Sequence, residues 1–200
     1  RRDSDGHVYY VDLDNHGATD SDLSYVRAFP KLKELWIIGG EITDTGLAYL
    51  AETPTLENLV VGQDEVTGPG LQVLGKLPHL TRLSLLFLKE DAYSALDLQV
   101  IGTCKDLHYV SIGRTTLPVG SLRFLRDLPR LDDLDLDSAH VTDEFLDDIV
   151  ACSRLETIDI KDTNITEEGV IRLKELPSLK VIYLEDDRVT EKVKAAFQKD

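Results

Sequence analysis

The chain has little positive charge and no long apolar run. Its 200 residues carry 22 Lys and Arg against 37 Asp and Glu, a formal net charge of -15. Affinity for nucleic acid comes largely from Lys and Arg that displace counterions, so this balance is evidence against a nucleic-acid binder and against binding to anionic membranes. No apolar stretch approaches the roughly 18 residues of a membrane-spanning helix. The opening RRDSDG has no apolar signal core, so we expect any targeting segment to be absent, removed or outside these residues.

Cysteine is also scarce. Cys104 and Cys152 are the two cysteines of the chain, and both occupy the same position of a repeating pattern, two repeats apart. Parallel strands lie about 4.8 Å apart, so the two Cα atoms are expected to be roughly 10 Å apart or more, beyond the about 7 Å that a disulfide allows. We expect two buried free thiols, which leave the cellular compartment undetermined.

Motifs that carry catalysis or hold a cofactor are missing as well. The sequence contains no phosphate loop and no dinucleotide-binding glycine pattern. Its histidines His7, His16, His79 and His140 are scattered over loops and do not converge as zinc ligands would. Ser84, Ser111 and His108 lie near acids, but His108 is placed at the sheet margin, away from the serines. The sequence predicts no enzyme, no resident metal and no cofactor.

What the chain has is a repeat. The stretch Leu155 to Pro177, LETIDIKDTNITEEGVIRLKELP, recurs at nearly constant spacing. Steps of 24 residues from Leu155 reach Leu179, Leu131 and Leu107, and after one copy with three additional residues the series resumes at Leu80. The remaining copies start at Leu56, Leu32 and Val8. Eight copies of one unit predict a solenoid, in which each unit contacts its neighbours and the leucines form one interior file.

Each copy reads as a strand, a turn and a short helix. Inward residues such as Leu35 and Ile37 alternate with outward ones, which is strand periodicity. A Thr follows the strand in six copies and is often succeeded by Asp or Glu, residues that cap a helix start and suit its dipole. Apolar pairs three apart, such as Leu71 and Leu74, form one helical face. Proline ends the helices at one position; its members are Pro30, Pro54, Pro78, Pro129 and Pro177.

The ends and the irregular copy have their own expectations. Asp5-Gly6 predicts a tight hairpin in which residues 1–3 pair antiparallel with the first repeat strand and cover its edge; we expect more protein before Arg1. Residues 1–7 form this hairpin, 8–178 the repeats and 179–200 a charged capping repeat of a single domain. LFLKEDAYSALD, in the fourth copy, predicts a protruding loop.

The pattern LxxLxLxxxxITDxGLxxLxxLP resembles the leucine-rich repeat family, in its 24-residue form common in bacterial proteins. The resemblance covers Val8 to about Phe197. It implies an α/β fold, a right-handed superhelix of about eight repeats with a parallel concave sheet and short convex helices, which binds proteins or peptides on the concave face. Many members place Asn or Thr two residues before the loop aliphatic. Here that position mostly holds other residues, so we expect the side-chain ladder to be mostly missing: His16, Gly40, Asp64, Leu88, Thr115, Ala139, Thr163 and Asp187.

Alternation places two sets of outward residues on the concave face. The first, the apolar patch, comprises Trp36, Ile38, Val60, Leu86 and Phe87, with Tyr93 near the irregular loop. An outward Trp beside aliphatic residues breaks the usual pattern of a solvated sheet, and exposed apolar area marks interaction sites. A partner binds here, or the irregular loop or an N-terminal segment of the same protein covers the patch.

The second set, the acidic patch, comprises Asp133, Asp135 and Asp137 along one strand and Asp159 beside Asp135. Like charges opposite each other across strands are destabilising, so a basic partner or a cation such as calcium is one interpretation. In a chain this acidic the alternative is a solvated surface, which Lys161 and Arg114 compensate.

The sequence therefore predicts a non-catalytic module that binds a protein or peptide carrying basic residues on the concave face. The alternative is a scaffold or spacer segment of a larger protein whose activity lies elsewhere. Neither the partner, the localisation nor the oligomeric state follows from the sequence.

Overall fold

The structure is a computed structural model that describes residues 1–63, 65–89 and 91–198. Its centre is one sheet of eight parallel strands in chain order. Asp64, Glu90 and residues 199–200 belong to the ladder position, the irregular loop and the capping repeat respectively, and lie outside the described residues. The strands are β1 (Tyr10–Asp12), β2 (Glu34–Ile38), β3 (Asn58–Gly62), β4 (Arg82–Leu86), β5 (Tyr109–Gly113), β6 (Asp133–Asp135), β7 (Thr157–Asp159) and β8 (Val181–Tyr183).

The strand register confirms the predicted repeat. Glu34 pairs with Asn58, which pairs with Arg82, so neighbouring strands are offset by 24 residues. The offset grows to 27 between Arg82 and Tyr109, where the irregular copy inserts its three residues. The repeat leucines from Leu32 to Leu155 are fully buried, and Leu179 in the last copy is half-buried. One continuous apolar core therefore runs through the stack.

Each strand from β1 to β7 is followed within a few residues by one residue in the left-handed region. Gly39 occupies this position after β2, whereas the other copies use residues with a side chain. The conformation turns the chain out of the sheet and costs an L-residue roughly 1–2 kcal/mol. The members are Asn15, Gly39, Gln63, Phe87, Arg114, Ser138 and Asp162, with φ between 50° and 75°. A bulky aromatic such as Phe87 is the least expected residue among them.

The segments behind the sheet are short helices, several of them of the 3-10 type. In a 3-10 helix residues i and i+3 lie on one side, so the apolar pairs three apart, such as Leu71 and Leu74, both point into the core. The α-helices are α1 (Asp20–Leu23), α2 (Asp44–Leu47), α3 (Leu146–Val150), α4 (Glu167–Arg172) and α5 (Glu191–Phe197). The 3-10 segments are Ser24–Ala28, Ala48–Glu52, Gly70–Lys76, Asp97–Thr103, Ser121–Asp127, Asp143–Phe145, Leu173–Glu175 and Asp186–Arg188.

Neighbouring repeats are joined by a contact that the sequence analysis missed. The Asp20 carboxylate accepts the backbone N–H of Thr43, in the next repeat, at 2.8 Å and its hydroxyl at 2.7 Å. A Cβ on Gly46 would lie well under 3.0 Å from the same carboxylate, so only glycine leaves room for it. Asp44, Thr67 and Gly70 repeat this geometry, as do Asp143, Thr166 and Gly169. We call this arrangement the interlock.

The interlock corrects two expectations. These aspartates cap the next repeat rather than only their own helix, and the polar ladder missing from the usual family position is present here. In the central repeats the arrangement changes: Asp97 accepts the N–H and hydroxyl of Ser94 in its own repeat, and a Cβ on Gly68 of the preceding repeat would collide with it. In the fifth repeat Pro118 takes the threonine position and has no N–H to cap.

The remaining structural predictions hold within the described residues. Cys104 and Cys152 are free and buried, and burial raises the pKa of the Cys152 thiol to about 11. Arg2 and Val8 form the antiparallel bridge of the predicted hairpin. No helix in the described part of the chain is both long and apolar enough to span a bilayer.

Candidate binding face

One face of the sheet covers the core, and the other, which we call the open face, carries the outward residues of every strand. Along its centre the strands pair residue to residue in a single line, the middle row. Trp36 is the most exposed member of β2, at 36%. The middle row runs Asp12, Trp36, Val60, Ser84, Ser111, Asp135, Asp159 and Tyr183. It begins with an acid, continues through apolar residues and serines, and becomes acidic again.

The apolar patch points outward as expected but is less open than the sequence indicates. Val60 lies next to Trp36 in the register and is only 8% exposed, so a partner reaches little more than its edge. Ile38, Leu86 and Phe87 are half-buried. Ile38 and Leu86 both pair with Gly62, whose missing Cβ lets the Leu86 backbone approach closely. Trp36 is therefore the residue of the patch that a partner can contact most fully.

Tyr93, which the sequence analysis placed near this patch, lies in the core instead. It is buried, and its hydroxyl donates to the backbone oxygen of Val66 at 2.7 Å. The reason is the three-residue insertion, which gives the irregular loop enough length to fold an aromatic ring back against the third repeat. The described part of this loop packs on its neighbours and leaves Trp36 exposed.

The acidic patch is also partly self-satisfied. Asp135 accepts hydrogen bonds from the hydroxyls of Tyr109 and Ser111, both at 3.1 Å, and from the backbone N–H of Asp137. Asp159, which pairs with Asp135 as expected, accepts the N–H of Lys161 at 3.0 Å. The strand β6 ends at Asp135, so Asp137 follows the strand and does not lie along it.

Asp133 is the carboxylate of the patch whose charge is least comfortable. Burial raises the pKa of its carboxyl, and the neighbouring anions Asp132, Asp135 and Asp159 act in the same direction, while Arg82 opposes them. The Arg82 guanidinium lies 4.1 Å from the centre of the Tyr109 ring on the adjacent strand. A positive group arriving beside Asp133 would be attracted to this anion.

The two patches are not separate, because a shallow concavity joins them. It has a volume of about 360 Å³ and includes residues of the apolar patch (Leu86, Phe87), the serines of the middle row and residues of the acidic patch (Asp135, Asp137). Its floor is open at Gly113, where a Cβ would collide with the backbone oxygen of Asp137. Arg114 lies 5.2 Å from the centre of the Phe87 ring at one wall. The sequence analysis had assigned Arg114 to the compensation of the acids.

The polar groups in this concavity are arranged for structure. Ser111 is 3% exposed and donates to Asp135, whereas the His108 ring nitrogen lies 3.2 Å from Asp132 at the sheet margin. In the described part of the chain no hydrogen bond links His108 to a serine. A general base must reach the hydroxyl that it activates, and these residues are held by other partners.

A further cluster, which sequence reasoning missed, lies at the N-terminal hairpin. Ligand atoms of Asp3, Asp5 and His7 come within 4.8 Å of one another, and all three residues are exposed. Asp3 already accepts the backbone N–H groups of Asp5 and His7, and the N–H of His7 is the main reason that the pKa of Asp3 is lowered. The cluster closes the hairpin turn.

Comparison with known proteins gives a likeness of fold. No family model and no curated protein matches the sequence. Among solved structures, internalin C2 of Listeria monocytogenes is 19% identical, with a TM-score of 0.58 over 88% of this chain and 80% of that one. The internalin InlF of the same organism is 18% identical, with a TM-score of 0.64 over 89% of this chain and 49% of its own.

A third solved structure, that of TLR13 in complex with ssRNA13, is 18% identical, with a TM-score of 0.57 over 90% of this chain and 31% of that one. At such identities the likeness concerns the fold alone. Together with eight parallel strands in one open sheet and short helices behind it, these comparisons identify the fold of this chain as a leucine-rich-repeat solenoid.

Proposed function

We propose that this chain is a non-catalytic module that binds a protein or peptide on its open face, with Trp36 as the main contact. The observation that carries the proposal is the position of Trp36, which stands 36% exposed in the middle row of an eight-stranded sheet. Tryptophan is among the residues that contribute most to binding energy at protein interfaces. We further propose that the repeats are of the 24-residue bacterial type.

The acidic half of the face supports a partner with basic residues. The middle row carries Asp12 at one end and Asp135 with Asp159 toward the other, and the chain as a whole has a charge of -15. Positive patches that meet negative ones speed association and select the partner. The same charge is evidence against nucleic acid as the ligand, although the TLR13 structure contains single-stranded RNA. A labelled single-stranded RNA should show no saturable binding at physiological salt.

Panning a random-peptide library against the immobilised chain tests the proposal. Peptides selected on the native chain should lose affinity for the Trp36→Ala and Leu86→Ala variants. Matched controls are Tyr25→Ala and Leu96→Ala, because these side chains are 66% and 82% exposed but lie outside the open face. Selected peptides that bind all four variants equally would contradict the proposal.

The scaffold or spacer role is favoured by one different observation. The last repeat leaves an apolar groove of about 290 Å³ between β8 and α5, lined by Ile182, Leu184, Val193 and Phe197 among others. Exposed apolar area of this kind marks a surface that another element covers. A scaffold role alone predicts that panning returns no peptide whose binding depends on Trp36.

A further inference from the structure

Aromatic side chains on the open face and its rim share a feature: a cation of the same chain lies over the ring. Arg82 lies 4.1 Å from the ring centre of Tyr109, Arg114 lies 5.2 Å from that of Phe87, and the distance from Lys161 to Tyr183 is 4.9 Å. Tyr10 has Arg1 at 4.7 Å. A positive charge over the face of an aromatic ring is attracted by the negative π face.

Trp36 is the exception within the described residues. Its printed ring contact is with Tyr10, at a centroid distance of 5.9 Å and an interplanar angle of 70°, so the two rings meet edge to face. No cation of the described chain lies over the indole, and its N–H has no hydrogen-bond partner there. Tryptophan is the ring that attracts cations most strongly, so the strongest site of the face is the one left without a cation.

Acidic side chains surround this ring. Asp12 is its register neighbour on β1, and Glu34 precedes it by two residues on the same side of β2. Asp12 is held as an anion, because the backbone N–H of Asp14 and the Tyr10 hydroxyl lower the pKa of its carboxyl. A cation over Trp36 would thus meet a π face and at least one carboxylate together.

We propose that Trp36 and Asp12 form a site for a positively charged side chain, lysine or arginine, of a peptide that lies across the open face. This inference rests on the proposed function and specifies the partner of the same face. The aliphatic stem of the lysine or arginine packs on Ile38 and the edge of Val60, while its charged end lies over the indole and beside Asp12.

The chain offers a direct probe, because Trp36 is its single tryptophan and its fluorescence reports this site alone. Hexa-arginine, added at low salt, should change the Trp36 emission with a saturating dependence on concentration, and hexa-glutamate should not. The Asp12→Asn variant should bind hexa-arginine about three-fold more weakly. Glu52→Gln, which makes the same charge change on a helix behind the sheet, is the matched control and should keep the native affinity.

Trp36→Leu separates the cation site from a merely apolar contact, because leucine keeps apolar area and removes the π face. By calorimetry this variant should bind hexa-arginine about five-fold more weakly than the native chain, while Tyr25→Leu should not differ from it. Equal affinity of Trp36→Leu and the native chain, or no response of Trp36 emission to hexa-arginine, overturns the inference.

Failure of the inference differs from failure of the proposed function. If peptides selected by panning depend on Trp36 but are not enriched in lysine or arginine, the cation site is wrong and the binding face stands. If no selected peptide depends on Trp36, the proposed function itself is wrong. Enrichment of basic residues in Trp36-dependent peptides supports both.

Discussion

The repeats at the two ends of the solenoid and those in its centre are held together by different means. At the ends, the interlock joins neighbouring repeats through Asp20 with Thr43, Asp44 with Thr67 and Asp143 with Thr166. In the centre, the side chains at the glycine position are Ser121 and Phe145, and the largest buried side chains of the chain, Phe124 and Phe145, lie in these repeats. Apolar packing there replaces polar contacts.

The difference shows that the two arrangements are alternatives for one space. Where a repeat has Asp after its threonine, the next repeat has Gly three residues after its own, and the carboxylate fills the volume. Where Ala95 or Val119 stands instead, the next repeat places Ser121 or Phe145 there. The centre, free of the interlock, also carries the insertion, the left-handed Phe87 and the concavity on the open face.

The largest expected effect is the loss of central packing. Phe124→Ala should lower the free energy of unfolding by about 3–5 kcal/mol, because a fully buried aromatic ring leaves a cavity. Phe29→Ala, at a half-buried ring in the first repeat, should cost clearly less. Urea denaturation of both variants measures this, and equal losses would break the contrast between centre and end.

A test of the interlock comes next in size. Gly46→Ala places a Cβ against the Asp20 carboxylate and should lower the free energy of unfolding by about 2–3 kcal/mol through overpacking and loss of its hydrogen bonds. The double variant with Asp20→Ala should recover part of that loss. At the same position in the centre, Ser121→Ala removes a buried hydroxyl that has no partner in the described chain and should be near neutral. A destabilisation as large as that of Gly46→Ala would contradict the comparison.

Local opening should follow the same division. Native Cys104 lies in the fourth repeat, which no interlock joins to either neighbour, whereas Cys152 lies in a repeat that Asp143 joins to the next. In single-cysteine variants under native conditions, Cys104 should react with a thiol reagent about ten-fold faster than Cys152, as its shield opens more often. The raised pKa of about 11 for the Cys152 thiol slows its reaction further. Rates normalised to those of the unfolded variants correct for this difference.

The smallest effects concern pH. Hydrogen bonds from the Ser94 hydroxyl and N–H lower the pKa of Asp97, so its stabilising contribution is complete above the unfolded pKa of about 3.9 and is lost as pH falls through the folded value. Asp133 has the opposite sign, because burial raises its pKa and its charged form opposes folding at neutral pH.

Asp97→Asn should therefore be less stable than the native chain at pH 7, and Asp133→Asn slightly more stable. Both differences should shrink as the pH is lowered toward 2. Denaturation midpoints between pH 7 and pH 2 measure them, and a Asp133→Asn variant that loses stability at pH 7 would show that this carboxylate is not strained by its neighbours.

Much of this architecture was readable from the residues. The 24-residue spacing predicted the sheet order and register, the buried leucine file and the outward Trp36, because each repeat imposes the same strand periodicity. The interlock was also present in the sequence, as Asp in one copy and Gly 26 residues later, but it becomes visible only when neighbouring copies are compared across the stack.

The sequence by itself determined the solenoid, since a repeated apolar pattern can be buried only by stacking the copies side by side. Tertiary structure decided what the outward side chains do there. It placed Tyr93 in the core, covered Val60, joined the two patches through one concavity and laid Arg114 over Phe87. Alternation along a strand specifies a side, whereas exposure and pairing depend on residues 24 or more positions away that only the stack brings together.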